Sequence, residues 1–137
     1  MITSWDEYID LLDNQEHPVS QRAVMEEVSE EILFHAIQER PDLKPAVIHN
    51  KLIPLTVLLS LVDDPDPRIR SCVAKKRKLP LDYLHKLAHD PDDGVRREVV
   101  HHTKIWKQTL EHLSSDEKLD IAKRAAKRLM EQDYKPL

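Results

Sequence analysis

The stretch Pro54-Leu55-Thr56-Val57-Leu58-Leu59-Ser60-Leu61 returns 26 residues later as Pro80-Leu81-Asp82-Tyr83-Leu84-His85-Lys86-Leu87. Asp64-Pro65-Asp66-Pro67-Arg68-Ile69-Arg70 returns at the same offset as Asp90-Pro91-Asp92-Asp93-Gly94-Val95-Arg96. No gap is needed. A fixed period of this length marks an array of supersecondary units, in which no unit buries its apolar face alone and each packs on its neighbours.

The register extends outward from this pair. Leu58, Leu84 and Leu110 share a column, as do Leu61, Leu87 and Leu113, and Ile32 falls one period before Leu58. In the second half of the unit the apolar columns are Leu43, Ile69, Val95 and Ile121; then Val47, Val73, Val99 and Ala125; then Ile48, Ala74, Val100 and Ala126. These are the expected core positions. A degenerate opening unit aligns Ile9 and Leu12 with Leu84 and Leu87, and Arg22 and Val24 with Arg97 and Val99. The boundaries expected are therefore 1–27, 28–53, 54–79, 80–105 and a capping unit 106–137, all within one domain.

Each unit reads as two short helices. Leu84, Leu87 and Ala88 lie at i, i+3 and i+4, one face of a helix. Pro80 is expected to open that helix, because its φ is already helical and its missing N–H has no partner to lose there. Asp66 and Asp92 stand where a side chain can cap the next helix, with Pro67 at its first position. The chain has a single glycine, Gly94, so the boundary prolines are assigned the helix-ending role. Ser114-Ser115-Asp116-Glu117 reads as a capping box. It predicts a longer closing helix over 117–132, with Leu119, Ala122, Ala125, Ala126, Leu129 and Met130 at helical spacing. Lys118, Asp120, Lys123, Lys127 and Glu131 form its polar face. The fold class expected is all-α: an α-solenoid of about five short helix pairs with a C-terminal capping helix.

Composition sets the functional bounds. Hydrophobic residues make up 40% and charged residues 34%, which excludes a disordered chain. No apolar run is long enough to span a membrane. The N-terminus lacks the basic flank and apolar core of a secretion signal, so a cytoplasmic location is the simplest expectation. Cys72 is the only cysteine, which excludes an intrachain disulfide and an all-cysteine metal site. A net charge of −4 argues against a domain built chiefly to grip nucleic acid. With one glycine there is no phosphate-cradling loop, so nucleotide hydrolysis is not expected.

The run Pro80–Val100 resembles the bacterial leucine-rich-repeat-variant and HEAT-like α-helical repeat families. Their units read roughly Pro-x-x-x-Leu-x-x-Leu-Ala-x-Asp-x-x-x-x-Val-Arg-x-x-Val-Ala. The resemblance is strongest over 54–78 and 80–103 and fades before Val28. It implies a right-handed superhelix and a role in binding rather than catalysis, such as neutralising a toxin or regulating a partner enzyme. The cysteine cluster that holds an iron–sulfur centre in some variants is missing, so no cofactor is expected. HEAT-like glycosylases for alkylated bases supply the alternative, a DNA-binding protein, although their aromatic and carboxylate constellation has no counterpart here.

Two ladders of basic residues follow from the register. His49, Asn50, Lys51, Lys75, Lys76, Arg77, Lys78, His101, His102 and Lys104 fall at the ends of the second helices. The acids Asp63, Asp64, Asp66, Asp90, Asp92 and Asp93 fall at their beginnings. This polarity complements helix dipoles, yet Lys75-Lys76-Arg77-Lys78 is denser than a dipole requires. The partner expected is another protein with an acidic surface, with nucleic acid second. The other ladder is Lys44, Arg70 and Arg96. It either lines a groove or braces turns, Arg70 with Asp64 or Asp66 and Arg96 with Asp90 or Asp92. His85 and His89, four apart, have the spacing of a shared zinc site. They lack the glutamate of a metalloprotease motif, and half-exposed surface histidines are the plainer reading.

Overall fold

The computed structural model of the chain describes residues 1–14 and 17–136. Among them every regular element is helical: α1 (Trp5–Asp13), α2 (His17–Met25), α3 (Glu30–Glu39), a 3₁₀ turn at Pro41–Leu43, α4 (Lys44–His49), α5 (Leu55–Leu59), α6 (Pro67–Ala74), α7 (Leu81–Leu87), α8 (Asp93–Val100), α9 (Lys107–Leu113) and α10 (Leu119–Met130). None is long and apolar enough to cross a membrane. Contacts divide the chain into two units, Met1–Ser60 and Leu61–Leu137. The division falls inside the expected 54–79 repeat.

In the first unit Ser4 caps α1, its Oγ accepting the Glu7 N–H at 3.1 Å. Helix α1 buries Tyr8 and Leu11, while Ile9 and Leu12 are only half-buried. Likewise Ala23 is buried and Val24 is half-buried. The opening register expected from sequence is thus one residue out in both helices. Pairs 8/11 and 9/12 have the same i, i+3 spacing, so periodicity could not separate them. Ile2 and Val28, both buried, form an isolated parallel bridge that ties the N-terminus to the start of the next helix pair. Leu43 is also only half-buried, because it lies in the 3₁₀ turn rather than on the face of α4.

The Tyr8 ring is fully buried, and its hydroxyl has no hydrogen-bond partner among the described residues. Burial pushes its pKa up to about 12. An unsatisfied buried hydroxyl costs about 1–3 kcal/mol. Tyr8→Phe is therefore expected to raise stability by about 1 kcal/mol in urea denaturation, whereas an equal loss would show that the hydroxyl holds a partner.

In the second unit helices one sequence period apart are neighbours. Helix α8 lies against both α6 and α10, the helices one period before and after it, and α7 and α9 pack beside them. Ile69, Val73 and Ala74 of α6 are buried, as are Val95, Val99 and Val100 of α8 and Ile121 and Ala125 of α10. Leu84, Leu87, Leu110 and Leu113 close the same core from α7 and α9. Ala126 is exposed, contrary to its column, because Arg128 supplies the inward side chain of the last turn of α10.

The helix starts follow the chemistry expected of them, with two corrections. Asp66 Oδ1 accepts the Arg68 N–H at 2.9 Å, and Asp92 Oδ1 accepts the Val95 N–H at 3.1 Å. Pro80, however, occupies the N-cap with an extended ψ of 145°, and Leu81 is the first helical residue. Helix α10 begins at Leu119 rather than at 117, and Asp116 has another task described below. Leu119 is 65% exposed and Met130 87%, so the closing helix presents apolar as well as polar side chains to solvent. Its C-terminus ends without glycine: Gln132 takes φ 54°, and the Asp133 N–H donates back to the Arg128 carbonyl at 2.9 Å. That is the Schellman pattern with glutamine in the left-handed position.

Candidate functional site

The arginine ladder braces the fold, but through partners one repeat further on than its spacing suggested. Arg70 Nε and Nη2 donate to Asp90 at 2.7 and 3.0 Å, while Nη1 donates to the carbonyls of Asp64 and Pro65. Arg96 repeats this with Asp116 at 2.8 and 3.3 Å and with the carbonyls of Asp90 and Pro91. Each arginine therefore holds its own turn by the backbone and the next turn by a two-pronged carboxylate pair. Asp64, Asp90 and Asp116 each also accept the N–H two residues on, at 2.9 Å. Burial opposes ionisation of Asp116, yet the Arg96 guanidinium and the Lys118 N–H hold its carboxyl below the usual range. Lys44, the first member of the ladder, is half-buried at the start of α4 in the first unit.

A second structural column was hidden within the basic ridge. Asn50 is buried, its Nδ2 donating to the carbonyls of Ala23 and Glu26 at 2.7 and 2.9 Å. His102 is 5% exposed and its Nε2 meets the Lys76 carbonyl at 3.0 Å. Arg128, one period later and 3% exposed, donates to the carbonyls of Val100 and His102 at 3.0 and 2.6 Å. These side chains satisfy carbonyls at and just beyond the ends of the preceding unit's helix. They take over the helix-ending role that sequence reading had given to proline. His102 is therefore turned inward, its Nε2 and Nδ1 both engaged by backbone carbonyls, those of Lys76 and Lys104.

The remaining ridge residues of the second unit lie outward. Lys75, Arg77, Lys78, His101 and Lys104 are exposed, and Lys76 is half-buried. Lys75, Arg77, His101, His102, Thr103 and Glu98 line a cleft of about 200 Å³. Glu98 is its only carboxylate among the described residues, 3.6 Å from Lys75 Nζ. The His101 ring is oriented by its Nδ1–H, which donates to the Arg97 carbonyl at 2.8 Å and leaves the rest of the imidazole to solvent. Neither Arg77 nor Lys104 is ion-paired among the described residues. His49 and Lys51, assigned to the same ridge from sequence, are exposed in the first unit. There they line a different cleft of about 430 Å³ with Leu11, Leu12, Gln21, Val24 and Met25. Cys72 is half-buried, as Ala46 and Glu98 are in its column.

His85 and His89 meet, with a third histidine that spacing did not flag. The His85 and His89 rings are edge to face at 5.0 Å, and His89 stacks on His112 of α9 at 3.8 Å with the planes 20° apart. Nδ1 of His85 is bonded to the Thr109 hydroxyl at 2.8 Å, and Nδ1–H of His89 donates to the His85 carbonyl at 3.0 Å. No group of three or more His, Cys, Asp or Glu among the described residues is arranged to hold a metal ion. Burial first, and then the neighbouring imidazoles, keep His85 and His112 below the usual histidine pKa; for His112, Asp116 and the Ala88 backbone pull the other way. A histidine with a depressed folded pKa stabilises the fold above its unfolded value near 6.5, and that contribution is lost as pH falls. Stability is thus expected to decline from pH 7.5 to 5.5. His112→Gln should decline less over that interval, and an identical decline in both proteins would remove the stack as its cause.

Compared with known proteins, the chain matches no family model, no curated protein and no solved structure.

Proposed function

We propose that this chain is a non-catalytic, protein-binding helical-repeat scaffold, a right-handed α-solenoid of the HEAT-like or leucine-rich-variant kind. On this reading it presents a basic surface to an acidic partner protein, as a toxin-neutralising or regulatory subunit would. The observation that carries it is the contrast between two classes of charge in the second unit. Arg70, Arg96, His102 and Arg128 are spent on joining one repeat to the next. Lys75, Arg77 and His101 stay outward around one cleft whose single carboxylate among the described residues is Glu98, and Lys104 is exposed nearby in sequence. Charge that the fold does not consume is available to a partner, and at a rim it sets association rate and partner choice more than affinity.

The test is an affinity capture from the native host extract with wild type and with Arg77→Glu/Lys104→Glu, both exposed positions. The reading expects one or more specific partners that the double variant loses, with binding that weakens as salt rises. An unchanged partner set would count against it. Titrating duplex DNA at low and high salt separates the alternative, because phosphate-driven affinity is greatest at low salt. Tight low-salt DNA binding lost in the same variant would replace the protein-partner reading.

A further inference from the structure

The cleft of the first unit has an unusual pairing of lining and charge. Its floor is Leu11, only 4% exposed, with Leu12 and Val24 half-buried beside it and Met25 51% exposed at the edge. Among the described residues His49 and Lys51 are the only ionisable side chains in the lining, and both are exposed. Among the described residues no carboxylate lines it. Of the carboxylates next to lining residues in sequence, Asp10 and Asp13 are exposed, and Glu26 is bound by Arg22 at 2.6 Å with the chain's amino group 3.8 Å from it. The Lys51 backbone is fixed, its N–H donating to the Val24 carbonyl at 2.8 Å, so its side chain is launched from a held position beside the cleft. Lys51 and His49 form no ion pair among the described residues.

We propose that this cleft is an anchor point for a partner protein, receiving an apolar side chain whose adjacent carboxylate pairs with Lys51 and His49. The apolar floor accounts for the side chain, and uncompensated cations at the lip account for the carboxylate. A protein segment fits better than a free amphipathic acid. The cations are exposed, so the ion pair stays wet and contributes selectivity rather than strength. An anchor that is weak alone is useful when other contacts supplement it. The methionine at the edge suits the same task, since its flexible thioether adapts to varied side chains. The proposal rests on the protein-binding reading but adds a residue pattern that the basic cleft of the second unit does not contain.

The test is an NMR titration of the ¹⁵N-labelled full chain with short capped peptides at millimolar concentration. Acetyl-Ser-Leu-Glu-Ser-amide should shift the amides of Leu12, Val24, Met25 and Lys51. Replacing its Glu by Gln should weaken binding about threefold, the size of an exposed ion pair. Replacing its Leu by Ala should weaken it about tenfold or more. Lys51→Glu should invert the preference, favouring acetyl-Ser-Leu-Lys-Ser-amide. Absence of shifts at these amides, or equal binding of the Leu and Ala peptides, would overturn the proposal. So would sodium decanoate saturating the cleft where the peptides do not, which would make it a site for free amphipathic acids. Arg77→Glu/Lys104→Glu should leave these titrations unchanged, so failure here and failure of the protein-binding reading are told apart.

Discussion

Arg96→Ala lowers the unfolding free energy by about 3–5 kcal/mol, the range for removing one partner of a buried charge pair. The Arg96 and Asp116 side chains are 9% and 5% exposed, so neither is screened as a surface pair would be. The loss has two parts. Asp116 keeps its charge but loses two guanidinium donors, and the carbonyls of Asp90 and Pro91 lose theirs. Because both ends lie at turns joining α7 to α8 and α9 to α10, the damage falls between repeats rather than within one helix. Urea denaturation measures it. The double variant Arg96→Leu/Asp116→Leu should recover much of the loss, because no charge is then stranded. A loss below about 1 kcal/mol for Arg96→Ala would place this pair with ordinary surface bridges. The depressed Asp116 pKa adds a pH signature. Its contribution is present above the unfolded carboxylate value near 3.9 and is lost as pH falls below it. Arg96→Ala should therefore be less acid-sensitive than wild type below about pH 4.

Leu84→Ala and Val99→Ala are each expected to destabilise the chain, Leu84→Ala by about 2–4 kcal/mol and the smaller Val99 truncation by less. Leu84 is 1% exposed and Val99 is fully buried. They sit in the apolar columns of α7 and α8, and α8 has a neighbouring helix on both sides. Truncation leaves a void that two helices would have to close, and short helices pinned by Asp caps and Arg–Asp pairs have little freedom to move. The same chemistry gives a built-in comparison. Met130 is 87% exposed, so Met130→Ala should change stability by less than about 0.5 kcal/mol. Equal effects at Leu84 and Met130 in the same denaturation series would refute the core assignment.

How far these features were legible depended on whether the cause was local. The apolar columns through Leu58, Leu84 and Leu110 and through Val73, Val99 and Ala125 were readable because burial at a fixed helical position needs only residue type and spacing. The caps at Asp66 and Asp92 were readable because a capping carboxylate bonds its own helix two or three residues away. The opening unit was misread by one position at Tyr8 and Leu11, where two stripes fit the same spacing equally well. Arg70 and Arg96 were rightly suspected of bracing turns, but their carboxylate partners were misassigned because the acids lie 20 residues along the chain. His112 was missed beside His89, since it comes from another helix and no motif links them.

The sequence by itself determined a helical chain with a 26-residue register, its apolar columns and its aspartate caps, because each follows from local spacing and local hydrogen bonding. Only the tertiary structure decided which polar residues the fold consumes. Asn50, His102 and Arg128 stand in one column with Lys76 and resemble a basic ridge on paper. Carbonyls at the end of the preceding unit draw them inward, because a buried acceptor left unpaired is costly. His49 and Lys75 seemed equivalent members of one ladder, yet one borders an apolar cleft and the other faces Glu98. A register places backbones, whereas the unsatisfied groups a side chain meets depend on how neighbouring helices pack.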